Sequence, residues 1–125
     1  EMDPDRLIDQ ASGWFDQGGG DFSSLHNYFF GLFIRPERKR ASALSEYGGY
    51  SYPVSGHTAC EKQYGYGACK TREELNKRCT ERADKMRELI PEGLCAGVYT
   101  QWSDIEEEVN GVYTYDRKIR KIDRV

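Results

Sequence analysis

Glu46 ends the run Ala41-Ser42-Ala43-Leu44-Ser45-Glu46, and the chain continues as Tyr47-Gly48-Gly49-Tyr50. A carboxylate standing where a strand gives way to a glycine-rich turn can act as a nucleophile or as an acid/base group. Taken alone, it equally reads as a solvated carboxylate at a strand end. A second polar group, His26-Asn27, stands in the run Ser24 to Phe30. It can contact the hydroxyls of a ligand, or His26 can be a histidine satisfied by backbone groups. The nine Tyr, five Phe and two Trp occur mostly beside Gly, Ser, Asn, Asp or Gln and not in periodic apolar stripes. Rings placed so can line a polar pocket, and sugar sites set aromatic faces against the apolar face of a pyranose. The composition permits a carbohydrate site without requiring one.

Strands must hold these residues in place. Residues 7–13, 24–30 and 41–46 read as short strands, separated by the glycine-rich segment 18–20 and by Arg35-Pro36-Glu37-Arg38-Lys39-Arg40, a charged and solvated connection. Residues 47–67, rich in Gly, Tyr and Ser, show no regular period and predict a long loop. Thr71 with Glu74 forms a capping box. Behind it Leu75, Cys79, Met86 and Ile90 fall on one face of a helix that Pro91 and Gly93 stop. Leu94 to Thr100 is a small-and-apolar run of the kind buried on both faces of a parallel sheet. Strand, helix and strand make a βαβ unit. In the remainder, Asn110-Gly111 predicts a turn, and the acidic residues from Asp104 to Glu108 predict a solvated segment in preference to a cation site.

A chain of 125 residues is sized for one domain. The 18 basic and 21 acidic residues are interspersed, and a net charge of -3 selects neither nucleic acid nor an anionic membrane as partner. No apolar run approaches the roughly 20 residues that span a bilayer, and residues 1–6 lack the features of a signal peptide, so the expectation is a cytoplasmic protein. The four cysteines show no C-x-x-C pairing and read as free thiols.

The segment Ala43-Leu44-Ser45-Glu46-Tyr47-Gly48 resembles the motif at the end of the seventh barrel strand in glycoside hydrolase family two, the β-galactosidase and β-glucuronidase family. Three further pieces follow the family's order: Ala11-Ser12-Gly13-Trp14 resembles the fifth strand, His26-Asn27-Tyr28 the sixth, and Val98-Tyr99-Thr100-Gln101 the eighth. The tail Asn110 to Lys118 is similar to the segment that closes the family's barrel domain. The resemblance covers almost the whole chain. It implies an α/β fold, the C-terminal half of a (β/α)8 TIM barrel with strands β5 to β8, and the activity of a retaining β-glycosidase. Glu46 is then the nucleophile and Tyr28 the hydroxyl that keeps it ionised. His26, Asn27, Tyr99, Trp102 and Trp14 become the residues around the sugar, although Tyr99, Trp102 and Trp14 also fit ordinary rim packing. Tyr99 stands where better-known relatives carry Trp.

The resemblance implies no cofactor and no metal, and its partner is a β-linked carbohydrate. The family's acid/base lies in an Asn-Glu pair, and this sequence has none, which places that residue upstream of residue 1. The expectation is a fragment, inactive alone and self-associating through open barrel edges. The alternative is a non-catalytic carbohydrate-binding or assembly module.

Overall fold

The computed structural model describes residues 3–10 and 13–123. Its strands are β1 (Phe22–Asn27), β2 (Ala41–Gly48), β3 (Tyr50–Ser51), β4 (Gly67–Ala68) and β5 (Leu94–Thr100), with one helix, α1 (Arg72–Leu89), between β4 and β5. Three of the strands form a parallel sheet in the order β1-β2-β5. β3 and β4 pair parallel as a second, two-stranded sheet.

This is a mixed α/β fold and not half of a TIM barrel. A barrel half repeats strand and helix, whereas the connection 28–40 between β1 and β2 holds no helix. Residues 7–10 form no strand; Asp21 N donates to Ile8 O at 2.8 Å and Ile8 N to Asp21 Oδ2 at 2.8 Å. Ala11 and Ser12, part of that expected strand, lie outside the described residues.

The β2-α1-β5 unit follows the local signals. Thr71 Oγ1 accepts from Glu74 N at 3.1 Å, and Glu74 Oε2 accepts from Lys70 N at 2.8 Å, so the helix entrance is capped from both sides. Leu75 and Cys79 are buried as the spacing predicts. At the far end Leu89 is buried and Ile90 is exposed, because Ile90 is the C-cap and points out of the last turn. Leu89 joins Leu25, Leu32, Leu44 and Leu94 in the core beneath the sheet. A second cluster, Cys69, Leu75, Cys79 and Ile122, packs with Tyr50, Tyr52, Tyr99 and Val112 against the other end of the helix.

Three expectations need correction. The loop 47–67 carries β3 and ends at β4, so its two ends are stitched together. The tail turns at Glu106-Glu107, where Glu108 N donates to Ile105 O at 2.9 Å, while Asn110 is fully buried. Asp104, read as solvated, is buried and paired with Lys121 at 2.6 Å.

Arg40 likewise departs from the solvated reading, since its side chain is only 10% exposed and binds Asp16 at 2.6 Å and Glu37 at 2.5 Å. That guanidinium holds the Asp16 carboxyl well below the usual carboxylate range, mainly through its hydrogen bond. A carboxyl depressed in the folded state stabilises the fold above its unfolded pKa of about 3.9 and loses that contribution as pH falls further. Thermal melts between pH 5 and pH 2 should therefore fall more steeply for the native chain than for Arg40→Met. Parallel curves would remove this ion pair from the account.

Candidate functional site

β1 and β2 bring their polar ends together because their register is not continuous. Leu25 pairs with Leu44, but the next pair is His26 with Glu46. The extra residue in β2 sets Glu46 opposite His26, which is how bulges commonly re-aim a side chain beside a site. Gly48 and Gly49 then turn the chain with φ of 94° and 68°. Both positions need glycine. A Cβ at Gly48 would run into the Tyr99 ring, and one at Gly49 would run into the rings of Tyr28 and Tyr66.

The Tyr28 hydroxyl donates to Glu46 Oε2 at 2.5 Å. His26 Nδ1 lies 3.3 Å from the same oxygen, close but not aligned as a hydrogen bond, and is otherwise unpartnered among the described residues. The Glu46 side chain is 39% exposed, so a ligand can reach it. Oε2 is thus occupied, and Oε1 accepts no hydrogen bond among the described residues. Tyr28 is buried, and burial first, then its bond to the Glu46 carboxylate, raises its pKa well above that of a free phenol. It therefore remains a proton donor through neutral pH and into the alkaline range.

Rings enclose this group. Trp14 meets His26 edge-on at 5.2 Å and lies tilted at 6.0 Å from Tyr28. Tyr66 stacks on Tyr28 at 3.7 Å, with Phe29 and Tyr64 edge-on to Tyr66. A cleft of about 180 Å³ opens beside Trp14, His26, Asn27, Tyr28 and Phe29. Asn27 donates through Nδ2 to Gly31 O at 3.2 Å, and its buried Oδ1 has no partner among the described residues. Glu46, Tyr28, His26 and Trp14 therefore meet at one strand end, with Asn27 on the adjoining cleft. The arrangement offers one carboxylate, fixed by a phenol, beside exposed aromatic faces.

Tyr99 and Trp102 lie elsewhere. Tyr99 shares the helix-covered face with Tyr47, the rings edge-on at 5.7 Å, and its hydroxyl approaches Cys79 Sγ at 3.7 Å. Burial pushes its phenol far above the usual range. The expected role as a sugar-stacking residue gives way to a core role, because alternation along β5 turns Thr100, and not Tyr99, toward Glu46. Tyr99→Ala should accordingly cost about 3 kcal/mol or more of stability, and Tyr99→Phe little, in denaturant unfolding. Equal stability of native chain and Tyr99→Ala would return Tyr99 to the surface. Trp102 is 68% exposed, packs on Tyr113 at 5.0 Å, and borders a separate cavity of about 530 Å³ with Gln101, Ile105 and Tyr115.

Tyr66 and Thr100 went unread in the sequence. Tyr66 sits in an aperiodic loop, where only its Gly neighbours hinted at a close approach; Thr100 lay one position from the residue that drew attention.

The chain matches no family model. No curated protein matches it either. Among the described residues, no helix is long and apolar enough to cross a membrane.

Proposed function

We propose that this chain supplies the nucleophile side of a retaining β-glycosidase of the β-galactosidase or β-glucuronidase type. The observation that carries the reading is the bond from Tyr28 to Glu46 Oε2, which leaves Oε1 free at a reachable strand end. In double displacement Glu46 Oε1 attacks the anomeric carbon as the glycosidic C–O bond breaks, and water later releases the sugar from the ester. Tyr28 orients the carboxylate before attack. The sugar contact is supported by His26, beside the same oxygen, as a polar partner, and by Trp14, edge-on to His26 and tilted to Tyr28, as an apolar face.

The leaving oxygen needs a proton, and retaining enzymes supply it from a second carboxyl group roughly 5–5.5 Å from the first. The sequence contains no Asn-Glu pair to provide it in the family's manner. In this reading the second carboxyl comes from polypeptide outside these residues. The chain alone then acts only where the leaving group departs without a proton.

That condition defines the test. A 2,4-dinitrophenyl β-galactoside or β-glucuronide should release dinitrophenolate slowly with the native chain and not with Glu46→Gln, while unactivated disaccharides remain intact. Sugar binding with no release from either dinitrophenyl substrate would favour a non-catalytic carbohydrate-binding module.

A further inference from the structure

The Tyr28 hydroxyl has one proton and two oxygen neighbours, Glu46 Oε2 at 2.5 Å and Thr100 Oγ1 at 3.0 Å. The shorter contact, to a carboxylate that can only accept, takes the phenolic proton. The Thr100 hydroxyl must then donate to the phenol oxygen. From these contacts we propose that Thr100 is a positioning residue, which fixes the Tyr28 hydroxyl by donating to it and so strengthens and aims the bond Tyr28 gives to Glu46. The proposal rests on the reading of Glu46 as nucleophile, but its first consequence is visible without catalysis.

The backbone is built for the task. Thr100 is the last residue of β5 and the register partner of Gly48, and its carbonyl accepts from Gly49 N at 3.0 Å. The strand end that bears Thr100 is therefore pinned to the turn immediately after Glu46. Tyr66, stacked at 3.7 Å on the Tyr28 ring, covers one face of it. A hydroxyl that receives one hydrogen bond becomes a better donor of its own, so the three oxygens act as a chain.

The measurement is hydroxyl exchange at Tyr28, read by NMR of a chain carrying ¹³Cζ-tyrosine in mixed light and heavy water. Tyr28→Phe assigns the signal, and the Tyr99 hydroxyl, half-buried against Cys79 on the helix-covered face, reports any general loosening. Thr100→Val should speed Tyr28 exchange about tenfold, the worth of one hydrogen bond, without changing Tyr99. Thr100→Ser should restore the slow rate. Thr100→Ala serves if the valine disturbs the fold, with the same result expected.

Tyr28 exchange in Thr100→Val and Thr100→Ala that stays within twofold of the native rate overturns the proposal, as does fast exchange in the native chain. In the intact enzyme, Thr100→Val should lower kcat for glycosylation about tenfold at unchanged KM, with rescue by Ser and no added loss in a Tyr28→Phe background. If the native chain releases no dinitrophenolate while the NMR result holds, the glycosidase reading fails and the role of Thr100 toward Tyr28 survives.

Discussion

Lys121→Met should cost on the order of 3–5 kcal/mol of stability, the scale of breaking a buried ion pair from one side. The Lys121 and Asp104 side chains are 0% and 1% exposed. Lys121 Nζ donates to Asp104 Oδ1 at 2.6 Å, Val109 O at 2.9 Å and Tyr52 O at 3.1 Å, so every ammonium proton has an acceptor; burial pushes its pKa down and the bond to Asp104 opposes that. Methionine would fill similar space but leave the Tyr52 carbonyl unpaired, Val109 O still accepting from Tyr52 N at 3.0 Å, and a carboxylate held only by Gly111 N at 2.7 Å. Against a total stability of about 5–15 kcal/mol, a loss of that size lowers Tm by on the order of 15 °C.

The sign of its pH dependence is fixed as well. Burial already pushes the Asp104 carboxyl up, opposed by Lys121 and by Gly111 N. Without the ammonium it rises further above its unfolded value, so the folded state of the variant holds a proton more tightly. The cost should shrink as pH falls from 8 to 5 and grow as pH rises. Asp104→Asn added to Lys121→Met should recover part of the loss. A Tm for Lys121→Met within about 2 °C of native, at both pH values, would contradict the buried pair.

Glu46→Gln should reduce turnover at least about a thousandfold in the enzyme that combines this chain with its acid/base, because an amide keeps the shape of the carboxylate but cannot form the glycosyl ester. Affinity for the sugar should change little, which equilibrium titration measures. Tyr28 still has an acceptor in the amide oxygen, so the surrounding group keeps its arrangement. A variant retaining most of its activity would remove Glu46 from the mechanism.

The parts that could be read in the sequence are those with local causes. Thr71, Glu74, Pro91 and Gly93 mark the helix, and the apolar run from Leu94 gives the strand after it. The half-barrel failed on topology: the strand expected at 7–13 rests on a short apolar run, yet residues 7–10 form none, and the charged connection 35–40 carries no helical period where a barrel would need a helix. Tyr99 failed for a subtler reason. Which of two neighbours on a strand faces the site depends on register, and β2 slips against β5 between Leu44 and Tyr47, a shift that no single-strand pattern displays. The pairing of Asp104 with Lys121 joins residues 17 apart through an aperiodic tail, and the stacking of Tyr66 on Tyr28 joins a loop to a strand end. Both come from tertiary closure. The pairing of Tyr28 with Glu46 was anticipated only through the family motif; nothing in the spacing of 18 residues would have suggested it.

The central claim is that Glu46 forms a covalent bond to sugar, and a mechanism-based label tests it most directly. A 2,4-dinitrophenyl 2-deoxy-2-fluoro-β-glycoside needs no proton on its leaving group, and its fluorine slows release of the ester, so the adduct accumulates. Cleavage after Arg40 and Lys62 yields a peptide spanning 41–62, whose two carboxylates are Glu46 and Glu61. Fragmentation should find one fluorosugar on Glu46, within Ser45-Glu46-Tyr47, at one equivalent per chain, and none in Glu46→Gln. A label on Glu61 or on any other carboxylate, with Glu46 unmodified, would contradict the account.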